Sequence, residues 1–139
     1  MTSMEDLQRK IAQALVESAQ RYDWQSVSFT YSQLATVGYT QSEVLTRSGE
    51  HLSVDDPGRA YLPFRELRKA MFTPTHGTWY SATATAVRGG DFDIDFNYDD
   101  KPEWDGEPDT ELYIADQERY PRPEAELPDW HPAKKHPGK

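Results

Sequence analysis

The sequence contains no cysteine, which removes disulfide frameworks and thiolate metal sites and fits a reducing compartment. It lacks any apolar run near the ~20 residues of a membrane span, and no secretory-type charged-then-apolar segment opens it. These absences predict a soluble, cytoplasmic protein with no membrane partner. Bases are scarce where acids crowd. Residues 89–129 hold 15 of the 24 Asp and Glu but only Lys101, Arg119 and Arg122 as cations, a balance of −12 against +3 for the rest of the chain. Phosphate contacts need Lys and Arg, so nucleic acid is disfavoured as a direct partner and a basic protein surface is favoured. The competing account of the acidity is solubility alone. There is no nucleophile elbow, phosphate-cradling glycine loop or His-Glu-x-x-His motif. The expectation is a binding protein rather than an enzyme, with no cofactor.

What is present suits one domain. A chain of 139 residues buries roughly 65–70% of its unfolded surface, enough for a core without staples. Residues 3–23 carry Leu7, Ile11, Ala14, Leu15 and Tyr22 near helical spacing, with Thr2/Glu5 or Ser3/Asp6 as a capping pair. From Trp24 to about Val37 the period shortens to two, with Val27, Phe29, Tyr31 and Gln33 alternating with Ser and Thr. Gly38 then marks a turn, Tyr39–Arg47 a return strand and 48–58 a loop. Pro63 suits the first turn of a helix that buries Phe64, Leu67, Ala70 and Met71 and ends at Pro74. Trp79–Arg88 and Asp91–Asp99 read as a hairpin around Gly89-Gly90. Pro108 opens a short helix that Pro121 stops. The expected fold is α+β: an antiparallel sheet of about four strands (two hairpins) with helices packed on one face, over residues 1–130, followed by a disordered polar tail at 131–139.

The segment Asp91–Asp99 is the most informative. Alternation sends Phe92, Ile94, Phe96 and Tyr98 to the core and Asp91, Asp93, Asp95, Asn97 and Asp99 to the other face. If Gly89-Gly90 is the whole turn, Val87 faces Phe92 and the acids neighbour Ala82, Ala84 and Ala86; a three-residue turn swaps that assignment. Row neighbours sit about 6.5–7 Å apart, so the carboxylates repel. Such a row is a plain solvated face, a surface for a cationic partner, or a metal site. A calcium loop needs Gly at position six and Glu at twelve. Counted from Asp93 those positions hold Tyr98 and Trp104, and from Asp91 they hold Phe96 and Pro102. A magnesium-dependent hydrolase using carboxylates of Asp91–Asp99, including Asp99-Asp100-Lys101, is the enzymatic alternative. The row continues into an acidic loop with Asp100, Glu103 and Asp105. Trp104 and Trp130 lie among these acids, either as anchors for a partner or as lids folded back on the core. The four histidines are scattered, two of them (His131 and His136) in the proline-rich end.

Arg68-Lys-Ala-Met71, Gly77-Thr78-Trp79, the Gly-Gly hairpin and the run Phe92, Asp95-Phe96, Tyr98-Asp99 together resemble the YezG-like immunity proteins of bacterial polymorphic toxin systems. Pro102-x-Trp104, Tyr113, Asp116, Tyr120-Pro121-Arg122 and Pro128-x-Trp130 resemble actinobacterial members of that group, so the likeness covers roughly residues 64–130. The resemblance implies a cytoplasmic protein that binds and neutralises a cognate toxin domain, often a nuclease. A chaperone or adaptor of a secreted protein would share the acidity and size.

Overall fold

The computed structural model describes residues 3–54, 58–102 and 104–134. Its elements run α1 (Met4–Ala19), β1 (Trp24–Leu34), β2 (Val37–Thr46), β3 (His51–Ser53), α2 (Gly58–Ala70), β4 (Ser81–Val87), β5 (Phe92–Asn97), α3 (Thr110–Arg119) and a short 3-10 turn at Glu124–Glu126. The strands form one antiparallel sheet in the order β3-β2-β1-β4-β5. The fold is therefore α+β, with five strands where about four were expected. The extra strand, β3, lies in the segment read as a loop. It is only three residues long, too short for alternation to register, and it pairs with β2 through Val44–Leu52.

Helix α1 starts where Ser3 caps it, the Ser3 hydroxyl accepting from the Asp6 amide at 3.1 Å. That hydroxyl and Arg9 hold the Asp6 carboxyl below its ordinary range. Leu7, Ile11, Ala14, Leu15 and Ala19 line its buried stripe. Pro63 is the sixth residue of α2 rather than part of its first turn, and Ala70 is exposed. Helices α1 and α2 pack together on one face of the sheet, where Val27, Phe29, Tyr31, Val44, Ala82, Ala84 and Ala86 form the core with Phe64, Leu67 and Trp79.

Two turns differ from expectation, each for a physical reason. The first hairpin turns at Ala35-Thr36, with Leu34 opposite Val37, and not at Gly38. Ala35 takes φ 54, a left-handed conformation uncommon for a residue with a Cβ. It is held from both sides: its amide donates to Asp116 Oδ1 at 2.8 Å, and its carbonyl accepts from Gln33 Nε2 at 2.8 Å. Gly38 serves packing instead, since a Cβ there would lie 2.6 Å from the Tyr61 hydroxyl. The second hairpin has the longer turn. Val87 N donates to Asp91 O at 2.8 Å, leaving Arg88, Gly89 and Gly90 as the loop, and Ala86 faces Phe92. The Gly-Gly register is thus replaced by the three-residue alternative. That choice puts the three alanines of β4 beneath α1, where small side chains let the helix approach, and leaves Thr83 and Thr85 half-exposed.

A second cluster of Leu34, Tyr80 and Tyr113, flanked by Trp104, Leu112 and Trp130, closes one end of the sheet. The described residues run past the expected boundary at 130, to 134. His131 is 1% exposed and its ring packs among Tyr80, Tyr113 and Trp130 at 5.7–6.2 Å. The remainder of the polar tail, 135–139, lies outside the described residues.

A seam of buried charge joins this end to α2. Arg68 and Asp116 form a bidentate pair at 2.7 and 2.8 Å with side chains 0% and 4% exposed. The Arg68 Nε also donates to the Trp79 carbonyl at 2.7 Å. Arg122 donates to the carbonyls of Thr78 (2.8 Å) and Glu126 (3.1 Å) while lying over the Tyr80 ring at 4.4 Å. Buried charges persist only when their hydrogen bonds are met in this way.

Candidate partner-binding surface

Helices α1 and α2 cover one face of the sheet; on the opposite face Leu34 packs with Tyr113 of α3 at one end, and the remainder is floored by small polar side chains. The registers place Ser53, Glu43, Ser28, Thr85 and Asp93 in one row across all five strands. The next row holds Gln41, Thr30, Thr83 and Asp95. Thr30 and Thr83 share a hydroxyl–hydroxyl hydrogen bond at 3.0 Å. Asp93 and Asp95 thus stand on the last strand with Thr85 and Thr83 as inner neighbours, and no alanine beside them. A groove of about 340 Å³ runs between Thr30, Thr83, Asn97, Asp100 and Lys101.

The expected site residues can be placed, with one exception. Asp91, Asp93 and Asp95 are exposed; Asp91 ends the turn, and the other two form the row. Strand β5 stops at Asn97, whose Oδ1 accepts from the amides of Asp99 (3.2 Å) and Asp100 (2.9 Å). This side-chain turn breaks the alternation, so Asp99 and Asp100 leave the row. Asp100 borders the groove just described, whereas Asp99 goes to a different hollow. Asp105 is exposed. Glu103 lies outside the described residues.

The two indoles are lids. Trp104 is half-buried with its ring 6.0 Å from that of Tyr39. Trp130 packs edge-on to Tyr80 and Tyr113 at 5.3 and 5.6 Å, and its Nε1 donates to the Asp99 carbonyl at 2.7 Å. Both are only half-buried, each ring packing in part against the second cluster.

One feature was not foreseen from the residues. On the helix side, at the end of β5, Met71, Tyr98, Asp99, His76 and Glu126 line a hollow of about 310 Å³. The His76 Nδ1 and a Glu126 carboxylate oxygen are in direct hydrogen-bond contact. No local pattern signals it, since these residues are up to 55 positions apart and come from four separate segments. Among the described residues no three His, Asp or Glu side chains converge to hold a metal ion, and no helix is long and apolar enough to cross a membrane. Burial pushes the Tyr80 and Tyr113 hydroxyls up to about 12, which keeps them neutral parts of the second cluster.

No protein-family model matches the sequence, and no curated protein matches it.

Proposed function

We propose that this chain is an immunity protein that binds and neutralises a cognate bacterial toxin domain through its acidic open sheet face. The observation that carries the reading is the half-exposed part of that face: a floor of Ser28, Thr30, Thr83 and Thr85 edged by exposed Asp93 and Asp95, with Glu43 across the sheet. A nuclease toxin must be cationic where it meets phosphate, so such a surface can occupy that site or its approaches. Charge then supplies rate, because attraction between opposite fields raises association well above the ~10⁵–10⁶ M⁻¹s⁻¹ of neutral docking. The face measures roughly 20 Å by 20 Å from strand spacing and rise. That is about half the ~800 Å² per partner of a standard interface, so the loop carrying Asp100 and Asp105 contributes the remainder.

The first test is recovery of the tight partner from the native host, where a toxin domain supports the reading and a non-toxic secreted client replaces it with an adaptor. With the toxin in hand, Asp93→Asn/Asp95→Asn lowers the low-salt association rate about fivefold and flattens its salt dependence. An unchanged rate and salt slope would remove the acidic row from the mechanism.

A further inference from the structure

β5 is the last strand of the sheet. The Val87–Asp91 hydrogen bond fixes which of its backbone groups are used. In an antiparallel ladder bonded and non-bonded pairs alternate, so the amides and carbonyls of Asp93 and Asp95 turn toward β4, while those of Phe92, Ile94 and Phe96 turn outward. Among the described residues no backbone bond takes up these outward groups, and an edge left open in this way is a template for another strand.

What lies on each side of that edge specifies the strand it accepts. On the helix side, α1 lies over β1 and β4 and leaves Phe92, Ile94 and Phe96 only half-buried. A mainly apolar hollow of about 280 Å³, walled by Ala12 and Val16, opens at the Phe92 end. The Met71–Tyr98 hollow opens at the other. On the open side stand the Asp93 and Asp95 carboxylates. A strand laid along β5 would therefore send alternate side chains toward the apolar hollows and toward the acids.

We propose that β5 is a docking edge for an extended partner segment of about seven residues in which apolar and cationic side chains alternate. This rests on the reading of the protein as a binder of a basic partner and specifies how that partner engages. A second copy of this chain is the wrong occupant: pairing β5 with itself would bring two aspartate rows to within about 5 Å of one another. A Lys- or Arg-bearing strand relieves the repulsion that Asp93 and Asp95 impose on each other. Main-chain bonds supply affinity and the alternating side chains supply selectivity.

The probe is a seven-residue peptide alternating lysine and valine, added to the full chain at low salt, with amide hydrogen exchange as readout. At saturation the amides of Phe92, Ile94 and Phe96 slow at least tenfold. A peptide of the same composition with its lysines in one block leaves them unchanged. Ala12→Gln, at a half-exposed helix position, projects into the hollow and weakens the alternating peptide at least threefold. Equal binding of the block peptide, with those amides unprotected, would overturn the edge proposal while leaving the acidic-face reading in place. Failure of both peptides to bind would count against both. Slowing of the same amides without peptide, growing with protein concentration, would assign the edge to self-association and refute the proposal.

Discussion

The Arg68–Asp116 pair allows a prediction worked from distances. Asp116 accepts three hydrogen bonds, two from the Arg68 guanidinium at 2.7 and 2.8 Å and one from the Ala35 amide at 2.8 Å. Both side chains are almost wholly buried, so water cannot replace a lost partner. Asp116→Asn leaves an unneutralised guanidinium and sets an amide NH₂ against one of three donors. Arg68→Met leaves a buried carboxylate with only the Ala35 N–H. Each single change should cost about 3–5 kcal/mol, the usual range for breaking a buried pair. At roughly 3–5 °C per kcal/mol for a domain of this size, Tm falls by ~10–20 °C.

The double variant is the sharper measurement. With both charges gone the remaining cost is packing and the Ala35 amide, so Arg68→Met/Asp116→Asn should recover about 2 kcal/mol or more relative to the sum of the singles. Urea unfolding of the four proteins gives the coupling directly. Singles that cost under about 1 kcal/mol, or a double that is merely additive, would refute the account of Asp116 as the shared acceptor of Arg68 and the Ala35 turn.

Three further outcomes follow from single sites. Gly77→Ala should destabilise by about 2–4 kcal/mol, because φ 69 there combines with a Cβ placed 2.4 Å from Arg122 Cγ. Gly89→Ala, at φ 110 but with nothing within 4 Å, should cost only the backbone strain of about 1–2 kcal/mol; equal losses in denaturant melts would contradict the seam. Burial lowers the His131 pKa from its ordinary 6.5, with Arg122 also opposing its charge and Asp116 favouring it. The unfolded chain therefore takes up this proton first, and stability falls with pH below about 6.5 by up to ~1.4 kcal/mol per unit. His131→Phe should remove that component of the slope, and an identical pH profile for both proteins would show that the ring does not titrate this way.

Much of this molecule was readable locally because its elements obey their own periods. The stripe of α1, the alternation of β1 and the two-sided character of β5 each follow from neighbours in sequence. The failures share a different cause. Ala35 turns the chain because Asp116, 81 residues on, receives its amide, and no local pattern announces that. Gly38 looked like a turn because glycine usually marks one, yet here it makes room for Tyr61. The register of the second hairpin was open between two turn lengths. What decides it is which of alanine or threonine must lie under α1, a question of layer spacing that concerns another element. Trp104 and Trp130 sit in polar, proline-rich stretches, so their apolar partners, Tyr39, Tyr80 and Tyr113, became visible only in three dimensions.

Several of the residues that carry the family resemblance form the buried seam, while others, Asp95 among them, lie on the acidic strand. Arg68, Thr78, Trp79, Asp116, Tyr120 and Arg122 connect through paired charges, carbonyl bonds and the Tyr120 ring, which lies 5.0 Å from the Arg68 guanidinium. Gly77 belongs with them, because only hydrogen fits beside Arg122. Trp130 closes the adjoining cluster. Substituting any of these should be felt first in stability. Asp93 and Asp95, by contrast, make no contact on which the core depends; they stand exposed on a hydroxyl floor. Their replacement by Asn should leave the unfolding free energy within about 0.5 kcal/mol of the parent, since exposed positions carry little of the fold, or raise it slightly by relieving repulsion. A scaffold seam and a binding face so separated can vary independently. The part of the likeness that lies in the seam therefore speaks for the architecture, whereas Asp95, which shares in it, stands on the open face, and the proposed partner surface is tested there and along the β5 edge.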